Sequence, residues 1–394
     1  MRDDRENSEG AGAGPASVLR TAEVRWTEAD PVARLRAAMG ETPLELLALF
    51  VTPLADFGEV VRAASETFPG TTVIACTTAG EIGRAGYEEG LILAVGFPRG
   101  DFVSSSMLIA DLDRYDALSV VDRIAVERVA LQDRSRAMES SFAFMLVDGL
   151  SLREDLLSST ISPALRDMPL FGASAGDGAD FVRTLVALDG EVRQNAAVLS
   201  LLRSRHRMKV FSHDHMAPTE ERMVVTEADP ERRIVKEINA EPAGREYARI
   251  VGKDPAQLDR FIFASHPVVV RIGEHHRVRA IQQVNDAGEL VFFSAIDEGM
   301  VLTVARPLGM ADHLQALMTE LGREEVPANI IACDCILRRI EAEQSQVARS
   351  LSAIMARHRV VGFSTYGEQI GPMHVNQTMT GVAFYASPPG APED

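Results

Sequence analysis

Cysteine is scarce: the 394 residues hold three, Cys76, Cys333 and Cys335. Three thiols cannot make a disulfide framework, so a reducing, cytoplasmic setting is expected. A basic excess is also missing. The formal charge is −17, which argues against a nucleic-acid partner and for solubility. Apolar runs stop at strand length, far short of the ~20 residues a membrane helix needs, so no membrane association is expected. No basic-then-apolar leader opens the chain. Several catalytic signatures are lacking as well. There is no CxxCH for covalent haem, no P-loop or GxGxxG for nucleotides, and no GxSxG nucleophile elbow. Cys333-x-Cys335 lacks the second pair that structural zinc wants, so buried inert thiols are expected. The expectation is a protein that is not an enzyme.

What is present is a repeated pattern. Hydrophobic residues make up 46% and charged residues 25%, enough for an ordinary core. Residues 1–24 are Gly, Ala, Ser and charge without periodicity, and are expected to be a tail. LELLALFV, ADFGEVVRAASETF and TTVIAC then read as strand, helix and strand. The arrangement returns as SFAFMLVDGLS, LREDLLSSTISPALRD (with Ser151 as N-cap) and PLFGAS. It returns again as NIIACDC, one long helix ILRRIEAEQSQVARSLSAIMARHR, and VVGFST. Each copy is a βαβ unit and exits into small residues, then Gly plus an acid: Gly80-Glu81, Gly176-Asp177 and Gly367-Glu368. Asp189-Gly190 and Asn285–Gly288 mark hairpins between the copies. The expected fold is α/β, with two related modules of mixed β-sheets flanked by helices, built on repeated βαβ units. The divisions expected are 25–230 and 231–394.

Several of these motifs together carry a resemblance. TTAGEI, DGLS (148–151), FGASAGDG, ALDGEVRQNAAVL, INAEPAGREYARIVG, ACDCILRR and GFSTYGEQ resemble a FIST protein, with an N-terminal and a C-terminal FIST module from about Leu44 to Phe384. GPMHVNQTMTGVAF is similar to the bacterial branch that binds haem b and senses nitric oxide. That likeness implies His374 as axial ligand to the haem iron, with His313 on a helix as the runner-up. Met373, Asn376, Gln377, Tyr366 and Glu368 would surround the cofactor. It also implies signalling in trans to a histidine kinase or a cyclic-di-GMP enzyme that tunes biofilm behaviour, and leaves a homodimer open. The wider family implies an alternative without haem: a small ligand of amino-acid type, with Glu368 and Asp177 facing its ammonium group.

The remaining clusters read as structural. His213-Asp214-His215 is expected in a solvated loop before Pro218. Arg203, Arg205, Arg207 and Lys209 alternate along an exposed strand face. Only Met373-His374-Val375-Asn376-Gln377 has no counterpart in the earlier copies, so the functional expectation rests there.

Overall fold

A computed structural model describes residues 16–386, and within it the chain builds one unit three times. The first repeat comprises β1 (Arg20–Arg25), α1 (Pro31–Met39), β2 (Leu44–Val51), α2 (Phe57–Thr67), β3 (Thr72–Thr77), the hairpin β4 (Glu81–Gly83) with β5 (Gly86–Glu88), and β6 (Leu91–Pro98). The second comprises β7 (Phe102–Ile109), α3 (Ala117–Arg134), β8 (Ser140–Val147), α4 (Glu154–Leu165), β9 (Leu170–Ser174), the hairpin β10 (Val186–Leu188) with β11 (Glu191–Arg193), and β12 (Ala197–Ser204). The third opens with β13 (Met208–His213) and is then interrupted.

The interruption is an inserted module. It contains β14 (Met216–Asp229), β15 (Ile234–Ile238), β16 (Glu241–Pro242), α5 (Ala243–Val251), α6 (Arg260–Ser265), β17 (Val268–Ile272), β18 (His275–Arg279), β19 (Ile281–Val284), β20 (Leu290–Phe292) and β21 (Val301–Pro307). Its strands form an antiparallel sheet. The third repeat resumes with α7 (Met310–Leu321), β22 (Asn329–Cys335), α8 (Ile336–Gln344), α9 (Ala348–Arg357), β23 (Val360–Thr365), the hairpin β24 (Glu368–Ile370) with β25 (Met373–Val375), and β26 (Met379–Phe384).

Each repeat pairs its two βαβ strands in parallel: β2–β3, β8–β9 and β22–β23. Its last strand lies antiparallel beside the first of that pair, and its opening strand closes the outer edge. The other edge is taken by a hairpin from a different repeat. β10–β11 pairs with β3, β24–β25 with β9, and β4–β5 with β23. Every repeat gives one hairpin and receives one, so three six-stranded sheets lock into a closed ring. The free edges that invite aggregation are thereby covered.

The ring has a common centre. Phe50 stacks on Phe363 at 4.4 Å, and Phe144 on Phe171 at 4.7 Å, bringing side chains of all three sheets into one core. Helices cover the outer faces, so these strands are buried on both sides and read as unbroken apolar runs.

The expected α/β architecture of mixed sheets and βαβ units is observed, as are the Asp189-Gly190 and Asn285–Gly288 hairpin turns. Three details differ from expectation. β1 starts at Arg20, so the last five residues of the expected tail (1–24) form strand; residues 1–15 lie outside the described residues. The helix expected from 336 to 359 is broken between α8 and α9, where Gln346 takes a φ of 58°. Ser151 is not an N-cap; α4 begins three residues later, behind Arg153. Apart from these, residue 230, where the division was expected, lies in the turn joining β14 to β15. Among the described residues, no helix is long and apolar enough to cross a membrane.

Candidate functional site

The three Gly-acid exits meet around the ring. Ala79 N donates to Ser364 O and Ser364 N to Gly80 O; Ser174 N donates to Gly367 O; Gly176 N donates to Thr77 O. Their carboxyl groups turn inward. Glu368 is fully buried and accepts from Thr365 Oγ1 and, at 2.6 Å, from Thr378 Oγ1. Burial pushes its pKa up to about 8, against the lowering effect of the two hydroxyls. Glu81 repeats the pattern, accepting from Thr78 Oγ1 and from Leu91 N, and burial lifts it to about 7. Asp177 accepts from the Tyr366 hydroxyl and from three backbone amides, Phe181, Val182 and Arg183, at 2.6–2.9 Å. These acids hold the ring's turns. Glu368 is sealed in the interior, whereas Asp177 lies at the edge of a pocket shared with Asp56, Asp180 and Arg183.

The segment without upstream counterpart does different work. His374, on β25, is 1% exposed. Gln369 Nε2 lies 3.0 Å from His374 Nδ1 and also donates to Ser174 Oγ at 3.0 Å. The other ring nitrogen, Nε2, is buried and has no hydrogen-bond partner. Burial lowers the imidazole's pKa and keeps it neutral. The remaining contacts run outward, to the inserted module. Arg279 Nη1 donates to the His374 carbonyl at 3.0 Å. Asn376 Oδ1 accepts from Ser294 Oγ and Ala280 N, while Gln377 Nε2 donates to Ala264 O at 2.8 Å. Residues 374–377 are thus a latch between ring and insert. A second tie lies alongside, where Arg233 binds Glu154 at 2.6 Å and Asp155 at 3.2 Å.

A haem on His374 does not fit this arrangement. Iron needs the Nε2 lone pair and a broad open face beside it. Here a Cβ built on Gly367 would lie 2.3 Å from His374 Cε1 and 2.7 Å from Nε2, so the backbone already fills that side. His313 is elsewhere, on α7, with His213 as its ring neighbour at 6.1 Å. Among the described residues, no three His, Cys, Asp or Glu side chains are grouped to hold a metal ion.

Space for a ligand exists next to the latch. A cleft of about 690 Å³ opens between ring and insert. Its apolar floor is Phe181, Phe263, Phe293, Ile336 and Leu337, and its polar rim includes Asp180, Arg260 and Gln282. Phe181 stacks on Tyr366 at 4.4 Å, so Tyr366 lies beneath the cleft floor, and Met373 is half-buried at the start of β25. The volume and the mixture of apolar walls with a few polar groups are those of a small-molecule site. No sequence pattern gave these residues, which come from four distant segments.

One other cluster differs from expectation. His215 is not in a solvated loop: it is 1% exposed, with Nε2 at 2.8 Å from Glu341 and Nδ1 accepting from Arg338. Arg338 in turn binds Asp334, as does the Tyr87 hydroxyl. Asp334, a lone acid inside the apolar strand NIIACDC, was the available sequence signal. Arg207 and Lys209 pair with Glu324, Glu325 and Glu320 beside α7. The three thiols are free and buried, and burial raises their pKa values well above the usual range, as expected of inert cysteines.

Against known families, a FIST N domain matches residues 45–241 and a FIST C domain matches residues 243–371. No curated protein matches the chain.

Proposed function

Because this chain belongs to the FIST family, whose domains are sensory modules of signalling proteins, we propose that it senses a small ligand of amino-acid type in the cleft between ring and insert. The observation that carries this reading is the position of the cleft: it opens beside the latch at residues 374–377. Arg260 and Asp180 on the rim offer opposite charges to a zwitterion's carboxylate and ammonium, and Phe181, Phe263 and Phe293 offer an apolar bed to its side chain. A ligand bridging the two parts favours one setting of the latch, which a partner protein then reads. The proposed partner is a histidine kinase or a cyclic-di-GMP enzyme.

Calorimetric titration of the full chain with each of the common amino acids tests this. Binding by at least one, weakened about tenfold or more in Arg260→Ala, is the expected result, since a charge-assisted hydrogen bond is worth about 1.5–3 kcal/mol. Absence of binding by all of them overturns it. The rival proposal is a nitric-oxide sensor with haem b on His374, favoured by that unpartnered Nε2 alone. A Soret band after haem supplementation, lost in His374→Ala, would decide for the rival.

A further inference from the structure

We propose that the inserted module carries a second site, for a small organic anion with an apolar tail, in the pocket bounded by Arg222, Arg271, His276 and Arg279. The pocket holds about 480 Å³ and no Asp or Glu lines it, in a chain whose net charge is −17. Arg279 is 8% exposed, yet among the described residues it has no carboxylate within ion-pair distance. One of its Nη atoms is engaged by the His374 carbonyl, and its Nε is buried without a partner. A buried guanidinium without a counter-charge is costly, and an oxyanion in the pocket would supply that charge.

The other walls agree with that ligand class. Arg222 has no ion pair among the described residues. Arg271 is tethered at the rim, its Nε on the Gly273 carbonyl at 3.0 Å and an Nη 3.5 Å from Glu274, a side chain that is 88% exposed and outside the lining. Between the cations lie Val270, Ile272, Met300 and Val301. Ile272 and Val301 are among the large apolar side chains left exposed, at 41% and 49%. Cations around an apolar patch suit an amphipathic carboxylate or phosphate monoester, whereas a cationic or neutral molecule gains nothing from the guanidinium groups. The site is separate from the cleft, so it stands or falls independently of the amino-acid reading.

Calorimetric titration of the full chain with hexyl phosphate, hexanoate, inorganic phosphate and hexylamine tests it. Hexyl phosphate or hexanoate should bind, and whichever gives heat fixes the head group. Inorganic phosphate should bind about tenfold more weakly or worse for want of the tail, since each buried methylene is worth about 0.8 kcal/mol. Hexylamine should give no heat. The double variant Arg222→Ala/Arg271→Ala alters two exposed side chains, so it should keep the wild-type melting temperature and lose affinity about tenfold or more. No heat from either six-carbon acid at millimolar concentration, or equal affinity in the double variant, overturns the site.

Discussion

Glu368 shows how a carboxyl can be scaffold. Two threonine hydroxyls occupy its oxygens, and burial holds its proton to about pH 8 against an ordinary value of 4.5. Its folded pKa is therefore raised. The stability it contributes is fully present below the unfolded pKa, falls as the unfolded chain ionises, and is lost as pH rises through the folded pKa. The wild-type melting temperature should drop between about pH 5 and about pH 8.5. Glu368→Gln, which stays neutral, should flatten that slope, with Glu81 and Glu341, both raised to about 7 by burial, supplying the part that remains. An equal slope in the variant, measured by differential scanning calorimetry, would show that Glu368 ionises freely. At this scale the sequence was partly legible. The repeated Thr-x-Gly-Glu spacing, Thr78 to Glu81 and Thr365 to Glu368, is a local pattern that foretells inward hydroxyl–carboxyl pairs. The direction in which His374 points was not legible, because Gly367 and Gln369 fix it through packing.

Among the elements, the latch is the piece whose role depends on partners far along the chain. Asn376 Oδ1 receives Ser294 Oγ and the Ala280 amide, both in the insert. Asn376→Ala leaves these two donors buried and unpaired, at a cost of about 1–3 kcal/mol. Hydrogen exchange at Ala280 should quicken while exchange in β2 and β3 stays slow; uniform quickening throughout would mean the residue supports the whole fold instead. Strands and the Asp189-Gly190 turn were readable because alternation and turn chemistry are local. The break between α8 and α9 was not, since neither Gly nor Pro marks it. It follows from tertiary demands: α8 is held by the buried Arg338–Asp334 pair, and α9 packs Leu351 and Met355 against a different part of the third sheet.

For the whole molecule, the three similar exits in the sequence correspond to a three-fold ring, and that likeness was visible. The exchange of hairpins between repeats was not, because strand pairing over nearly 300 residues, as between β4 and β23, leaves no local mark. The consequence is that the ring closes only as a whole. A fragment of residues 16–204 keeps two repeats but loses β24–β25 from β9 and leaves β4–β5 without β23. It should aggregate or lack dispersed amide resonances, and a monomeric fragment with native-like dispersion would contradict the closed-ring account. The insert breaks the symmetry, and the latch and the cleft both belong to the seam it creates. Hydrogen exchange across that seam, followed on the full chain with and without the amino acid that titrates into the cleft, tests the central claim most directly. Slowed exchange at both Arg260–Ser265 and Met373–Thr378, on opposite sides of the seam, is the predicted result; bound ligand with unchanged exchange at Met373–Thr378 would contradict it.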